Sequence, residues 1–187
     1  MNKENIKKLL IIVDMVNGFV REGSMADSYI EHIIPEIVNE IDDYKNDGVI
    51  FIKDCHEENS IEFSSYPKHC IKGTSESELV NELKKIEDEA IGVYEKNSTS
   101  AMFAENFVID IEKMNNLNEV TIVGCCTDIC VLNLAIPLKN YFNQKNKNIE
   151  IIVPKNMVET YNSEVHNRDE YNEMAFKLLK QSGIKIV

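Results

Sequence analysis

Tryptophan is absent from these 187 residues, and prolines (4) and glycines (7) are few. That composition excludes collagen-like and low-complexity chains. Long apolar runs are missing as well. The run that begins at Leu9 ends when Asp14 interrupts it, far short of the roughly 20 residues that span a bilayer or the roughly 7–15 of a signal-peptide core. The expectation is a soluble, cytoplasmic protein with no membrane partner. Cations are the scarce charge: 20 lysines and arginines face 32 aspartates and glutamates, a formal net charge of -12. No basic stripe reverses this locally, so phosphate backbones are repelled and nucleic acid is not an expected partner. The acidic residues fall in stretches such as NEIDDYKND and NELKKIEDE, whose plain reading is a solvated helix face.

What is present is a chain that is 43% hydrophobic, of a size that suits one buried core, so residues 1–187 are read as a single domain. Short apolar runs recur at 9–13, 49–52, 91–94, 119–123, 149–153 and 184–187, and these read as buried strands. Between them lie residues at helical spacing: Ile30, Ile33, Ile34, Ile37, Val38 and Ile41; Leu79, Val80, Leu83 and Ile86; Tyr171, Met174, Leu178 and Leu179. The alternation predicts an α/β fold, a mainly parallel sheet with helices on both faces. Residues 54–76 lack a convincing element, and a loop of that length in a compact domain is usually functional or disordered. Its histidines, cysteines and aromatics argue against disorder.

Ligands of open parallel sheets bind beyond the carboxyl ends of the strands. Asp14 follows the first strand, Asp54 and His56 the second, Lys96 the third, and GCCTDIC the fourth, all on one rim. Singly, each has an ordinary explanation as a turn former, cap or solvated charge. Together they suggest a site. The turn holds three of the five cysteines, which leaves three readings: a metal knot, a disulfide or one reactive thiol. A reducing compartment disfavours the disulfide, and adjacent Cys125 and Cys126 point apart in extended chain. Cys55 and Cys70 form no CxxC-type pair that would complete a zinc knot. Thr127 or Asp128 as a helix cap puts Cys130 in a first helical turn, where the helix end and a nearby lysine favour the thiolate. Cys130 is therefore the expected nucleophile, with Cys125 and Cys126 as packing.

DMVNGF at 14–19, DCH at 54–56, HCIKGT at 69–74, Lys96 and GCCTDICV at 124–131 together resemble the isochorismatase-like cysteine hydrolases, and within them the nicotinamidases. The likeness runs from the first strand to the last. It implies a six-stranded sheet in the order 3-2-1-4-5-6 and a catalytic triad of Asp14, Lys96 and Cys130. It also implies a cis peptide before Cys126, whose backbone amide joins that of Cys130 in an oxyanion hole. His56 and His69, read alone, are loop imidazoles; the resemblance makes them metal ligands together with Asp54. Glu62, in the same loop, is the candidate fourth ligand, with an exposed loop carboxylate as the alternative. Phe19 and Tyr66 match positions that sandwich a pyridine ring, although Phe19 also reads as core. The sequence departs from the pattern at Thr99, where many nicotinamidases have a tyrosine nearby. Pro137 falls where the helix after Cys130 should run, and predicts a kink or an end there.

The implied function is metal-dependent hydrolysis of nicotinamide to nicotinate and ammonia through a thioester on Cys130. Asp14 would shuttle the proton and Lys96 would hold Asp14 and stabilise the thiolate. One divalent ion, zinc before iron or manganese, would dock the pyridine nitrogen. The partner is a small amide, and self-association is left open. The alternatives are hydrolysis of another small amide on the same fold, or a binding protein that keeps the fold without the chemistry.

Overall fold

The computed structural model describes residues 3–187. Its strands are β1 (Lys8–Val13), β2 (Gly48–Asp54), β3 (Gly92–Lys96), β4 (Glu119–Cys125), β5 (Glu150–Val153), β6 (Val158–Glu159) and β7 (Lys185–Ile186). The helices are α1 (Asn17–Val20), α2 (Ile34–Asp43), α3 (Asn81–Lys84), α4 (Phe107–Glu112), α5 (Leu132–Gln144) and α6 (Arg168–Gln181). All ladders between these strands are parallel, in the order β3-β2-β1-β4-β5-β7. This is the expected order with one addition: the two-residue β6 pairs with β4 at Gly124 and Cys125. Two residues are too few to leave a periodic signal. No helix among the described residues is long and apolar enough to cross a membrane.

The near-continuous apolar strands are explained by two cores. Leu9, Ile11 and Val13 of β1, with Ile50 and Ile52 of β2, face one cluster with Phe107, Leu134, Leu138, Phe142 and Leu179. Leu10 and Ile12, with Phe51, face the other, with Ile30, Ile37 and Leu83. Alternate side chains thus feed opposite layers, and both layers are dry. A wholly buried side chain such as Phe51 stabilises by about 3–5 kcal/mol relative to alanine.

Helix α2 matches its predicted stripe, entered through a 3-10 turn at Ser28–Ile33 that Asp27 caps. The Leu79–Ile86 pattern yields only one helical turn, α3, because Leu79 and Val80 are tied to the chain after β1: Val80 N–H donates to Met15 O, and Leu79 bridges Val16. In α6 the helix is as expected but the buried face is Ala175, Phe176 and Leu179, while Met174 and Leu178 are exposed. A helix this polar is phased by its packing against the sheet rather than by its own weak stripe.

Strand order reverses between β1 and β4, which run side by side. Close approach there depends on Gly124, at φ +109°, where a Cβ would lie 2.0 Å from the carbonyl oxygen of Val13. The carboxyl ends of β1, β2, β3 and β4 therefore open onto one crevice at the switch point, where such folds bind ligands.

Candidate active site

β1 ends in Asp14, whose φ of 52° lies in the left-handed region that aspartate tolerates better than most residues. Its amide donates to Ile52 O of β2, and its carbonyl accepts a hydrogen bond from the Cys125 thiol. The chain turns sharply there and Asp14 is wholly buried. Lys96 ends β3 in register with Asp54 of β2. Its ammonium lies 2.8 Å from Asp14 Oδ2, 2.8 Å from Asp54 Oδ1 and 3.6 Å from Cys130 Sγ. The contact with Asp14 is a wholly buried ion pair. Asp14, Lys96 and Cys130 are thus brought together, and one side chain also ties them to Asp54.

The turn that carries Cys130 is not the expected first turn of an α-helix. Thr127–Val131 is a π-helical turn, in which the amide of Val131 reaches back to Cys126 O; α5 follows from Leu132. No side chain caps it. Asp128 is engaged elsewhere: it accepts hydrogen bonds from the Thr160 hydroxyl at 2.5 Å and from His166 Nε2 at 2.9 Å. The His166 ring is stacked between Tyr161 and Tyr171, with centroids 4.0 and 3.7 Å away. This pin on the turn was not read from sequence, since Asp128 and His166 are 38 residues apart. The Cys125–Cys126 peptide is cis, as the resemblance implied. All five cysteines are free, with no disulfide among them.

Burial sets the charges. It pushes the Asp14 carboxyl up to about 6, against the pull of Lys96 and with further help from Asp54. Burial also pushes the Cys130 thiol well up, and the Lys96 ammonium only partly opposes it. The expectation of a resting thiolate is therefore corrected: desolvation of a charge at a wholly enclosed sulfur outweighs one neighbouring cation. Burial would pull Lys96 down, but Asp14 and Asp54 hold its ammonium well above the ordinary value. Burial would raise Asp54, yet the Lys96 ammonium, with the imidazoles of His56 and His69 beside it, holds it far below the usual carboxylate range.

Asp54, His56 and His69 converge: their ligand atoms lie within 4.8 Å of one another. Both imidazoles are buried rather than surface-exposed, at 0% and 3% exposure. His56 Nε2 is 3.0 Å from Asp54 Oδ2, His69 Nε2 is 3.1 Å from it, and the two Nε2 atoms are 3.2 Å apart. Each ring turns its Nδ1 outward, His56 to Asn97 Oδ1 at 2.9 Å and His69 to Pro67 O at 2.7 Å. A carbonyl oxygen only accepts, so His69 Nδ1 carries hydrogen, and the same tautomer suits His56. With both Nε2 atoms unprotonated, three lone pairs face one point, an arrangement that suits a bound cation, and the outward hydrogen bonds fix each ring as metal-bound histidines require. One carboxylate and two imidazoles suit zinc, iron or manganese better than calcium.

The residues fit such an ion. Glu62 is not in this cluster but lines the same cavity from a 3-10 turn at Ile61–Ser64. Burial raises its carboxyl, and the charge of Asp54 adds to the effect.

The loop that carries these groups is anchored at its root. His56 N–H donates to Cys70 O, and Lys72 N–H to His56 O. Gly18 makes room for it, since a Cβ there would lie 2.5 Å from Cys70 Sγ.

Phe19, Met25, Thr99 and Ile129 join Asp54, Glu62, Tyr66, His69, Cys126 and Cys130 around a tight cavity of about 20 Å³. Both aromatic candidates are in place: Phe19 lies 5.4 Å from the His69 ring, Tyr66 6.4 Å. Phe63, which sequence reading passed over, packs edge-on against both histidines. Larger hollows occur elsewhere among the described residues, at the opposite sheet edge and beside α2, but they hold none of these groups.

Comparison with known proteins bears on this geometry. The isochorismatase domain model matches residues 8–187. The chain belongs to the isochorismatase family. It is 32% identical over 173 residues to the isochorismatase family protein PncA of Bacillus subtilis, covering 86% of this chain and 91% of that one. It is 34% identical over 142 residues to nicotinamidase 1 of Arabidopsis thaliana, covering 67% of this chain but only 57% of the plant protein. A pyrazinamidase of Pyrococcus horikoshii, solved in complex with zinc, superposes with a TM-score of 0.76 at 25% identity, covering 97% of this chain and 98% of that one.

Proposed function

We propose that this chain is a cytoplasmic, single-domain nicotinamidase, a metal-dependent cysteine hydrolase that converts nicotinamide to nicotinate and ammonia. The observation that carries the reading is the position of Lys96 Nζ, 2.8 Å from Asp14, 2.8 Å from Asp54 and 3.6 Å from Cys130. One ammonium thereby joins a thiol, a buried carboxylate and a ligand of a cation site. Relatives named as nicotinamidases and a zinc-bound pyrazinamidase support the substrate and the metal.

In the proposed cycle the Cys130 thiol, protonated at rest, loses its proton to Asp14 as its sulfur attacks the amide carbonyl carbon. Lys96 stabilises both anions in turn. The backbone amides of Cys126 and Cys130 hold the oxyanion, worth about 3 kcal/mol per donor in other acyl transfers. Asp14 passes the proton to the departing ammonia, leaving a thioester, and then takes a proton from the water that releases the acid and the thiol. Phe19 and Tyr66 grip the ring. Asp54, His56 and His69, with Glu62 as a candidate fourth ligand, would hold one divalent ion, which supplies a Lewis-acid dock for the pyridine nitrogen.

The test is ammonia release from nicotinamide by purified protein, with and without a chelator, beside a panel of other small amides. Turnover of nicotinamide that falls on chelation is expected. Turnover of another amide alone would replace the substrate and keep the chemistry.

A further inference from the structure

Proline is the residue least suited to a helix interior, yet α5 runs unbroken from Leu132 to Gln144 with Pro137 inside it. The stop that the sequence allowed does not occur. Proline lacks the amide hydrogen that would bond the carbonyl four residues earlier, and its ring crowds that same oxygen. The carbonyl concerned is that of Asn133. In this protein it is not without a donor: the Ser100 hydroxyl donates to Asn133 O at 2.7 Å. The Asn133 side chain makes a second, longer contact, its Nδ2 donating to Thr99 Oγ1 at 3.4 Å. Ser100 and Thr99 belong to the loop that leaves Lys96, and Thr99 lines the cavity. Asn133 follows Cys130 by three residues. The two bonds therefore join the two segments whose side chains must meet at 3.6 Å, Lys96 and Cys130.

We propose that Pro137 is a positioning residue: by withholding its amide it leaves the Asn133 carbonyl to Ser100, and so clasps the Lys96–Thr99 loop to the helix that carries Cys130. An amide hydrogen at position 137 would compete with Ser100 for that carbonyl, whose two lone pairs the helical ladder would then share, and so weaken the clasp. The device exchanges helix stability for the placement of the loop.

The opposed signs make it testable. Pro137→Ala should raise the melting temperature by a few degrees, since alanine restores the missing helical bond. It should also lower kcat/KM for nicotinamide roughly three- to tenfold, as small displacements of catalytic groups do. The rate of Cys130 alkylation by iodoacetamide should change with it, because Lys96 is its neighbour. Ser100→Ala should lower the melting temperature by about 2–4 °C in the natural chain. It should cost much less in the Pro137→Ala background, and Ser100→Thr should restore most of the loss. Equal costs of Ser100→Ala in both backgrounds would overturn the proposal, as would a Pro137→Ala protein whose Cys130 alkylation rate is unchanged. Only the kinetic arm rests on the nicotinamidase reading. If the natural chain releases no ammonia from nicotinamide, that reading fails, and the melting and alkylation arms still decide the clasp.

Discussion

Asp14 and the Cys126–Cys130 turn each follow a strand directly and Lys96 ends one, whereas His69 hangs on a loop that has only short turns of regular structure. The two walls of the cavity are thus built by different means. On the strand side, register does the placing: Lys96 pairs with Asp54 and Val13 with Gly124, so the reactive groups inherit the spacing of a parallel sheet. On the loop side, placement comes from side-chain and backbone hydrogen bonds, with Asn97 and the Pro67 carbonyl orienting the two imidazoles. Asp54 belongs to both, as the last residue of β2 and the point on which both histidines converge. The comparison teaches that nucleophile geometry should be stiff and tied to fold stability, while the metal wall should be separable from it.

Removing the nucleophile should have the largest effect. Cys130→Ala should abolish turnover, a loss of about 10⁴-fold or more, with a melting curve close to the natural one. Cys125→Ala should keep most of the activity. Mass spectrometry after iodoacetamide should find Cys130 labelled first, and preferential labelling of Cys125 with activity intact would overturn the assignment.

Lys96→Ala strikes the joint between the walls. Read from the sequence alone, Lys96 is a rim residue. At 3% exposure between two carboxylates it is instead a buried charge partner. Its loss should lower the rate about 10³-fold and cost about 3–5 kcal/mol of stability, because Asp14 and Asp54 are left uncompensated. Urea unfolding measures the second part, and an unchanged midpoint would show that the walls are not joined there.

His56→Ala and His69→Ala sharpen the comparison by touching one wall. Both proteins should lose metal by plasma mass spectrometry and show a raised KM, while Cys130 alkylation stays near the natural rate. Asn97→Ala, which frees the His56 ring without removing a ligand, should weaken metal binding by about 10–100-fold.

A smaller, graded effect is expected from pH. Asp14 must be unprotonated to take the thiol proton, and burial lifts its carboxyl to about 6. The acid limb of kcat/KM should therefore fall as pH drops through about 6, above the ordinary carboxylate range near 4. A limb near pH 4 would show that burial does not lift the Asp14 carboxyl. The least effect should come from Glu62→Gln, which should weaken metal binding less than either histidine variant because Glu62 stands outside the convergent set. A loss equal to that of His69→Ala would make Glu62 a full ligand.

Much of the architecture was legible because buried parallel strands leave short apolar runs that few other structures produce. The residues of the strand-side wall were legible for the same reason, since a strand's end tells which rim its next residue occupies. The loop-side wall was read through its motif alone. Phe63, Asn97 and the Asp128–His166 pair were not read, because nothing in their sequence spacing reports a contact made across a loop or between distant elements.

The sequence by itself determined the alternation of strands and helices, the rim on which the polar residues gather, and which cysteine follows a strand at the start of a helix. These depend on local spacing and on what a residue type can do. Tertiary structure decided the rest. It placed Lys96 between two carboxylates, closed the two Nε2 atoms on Asp54, and left the Cys130 thiol protonated by removing water from around it. It also gave the Asn133 carbonyl, four residues before Pro137, a donor in the Ser100 hydroxyl. Charge state and hydrogen-bond partnership depend on what surrounds a group in space, and for these residues the surroundings come from segments tens of positions away.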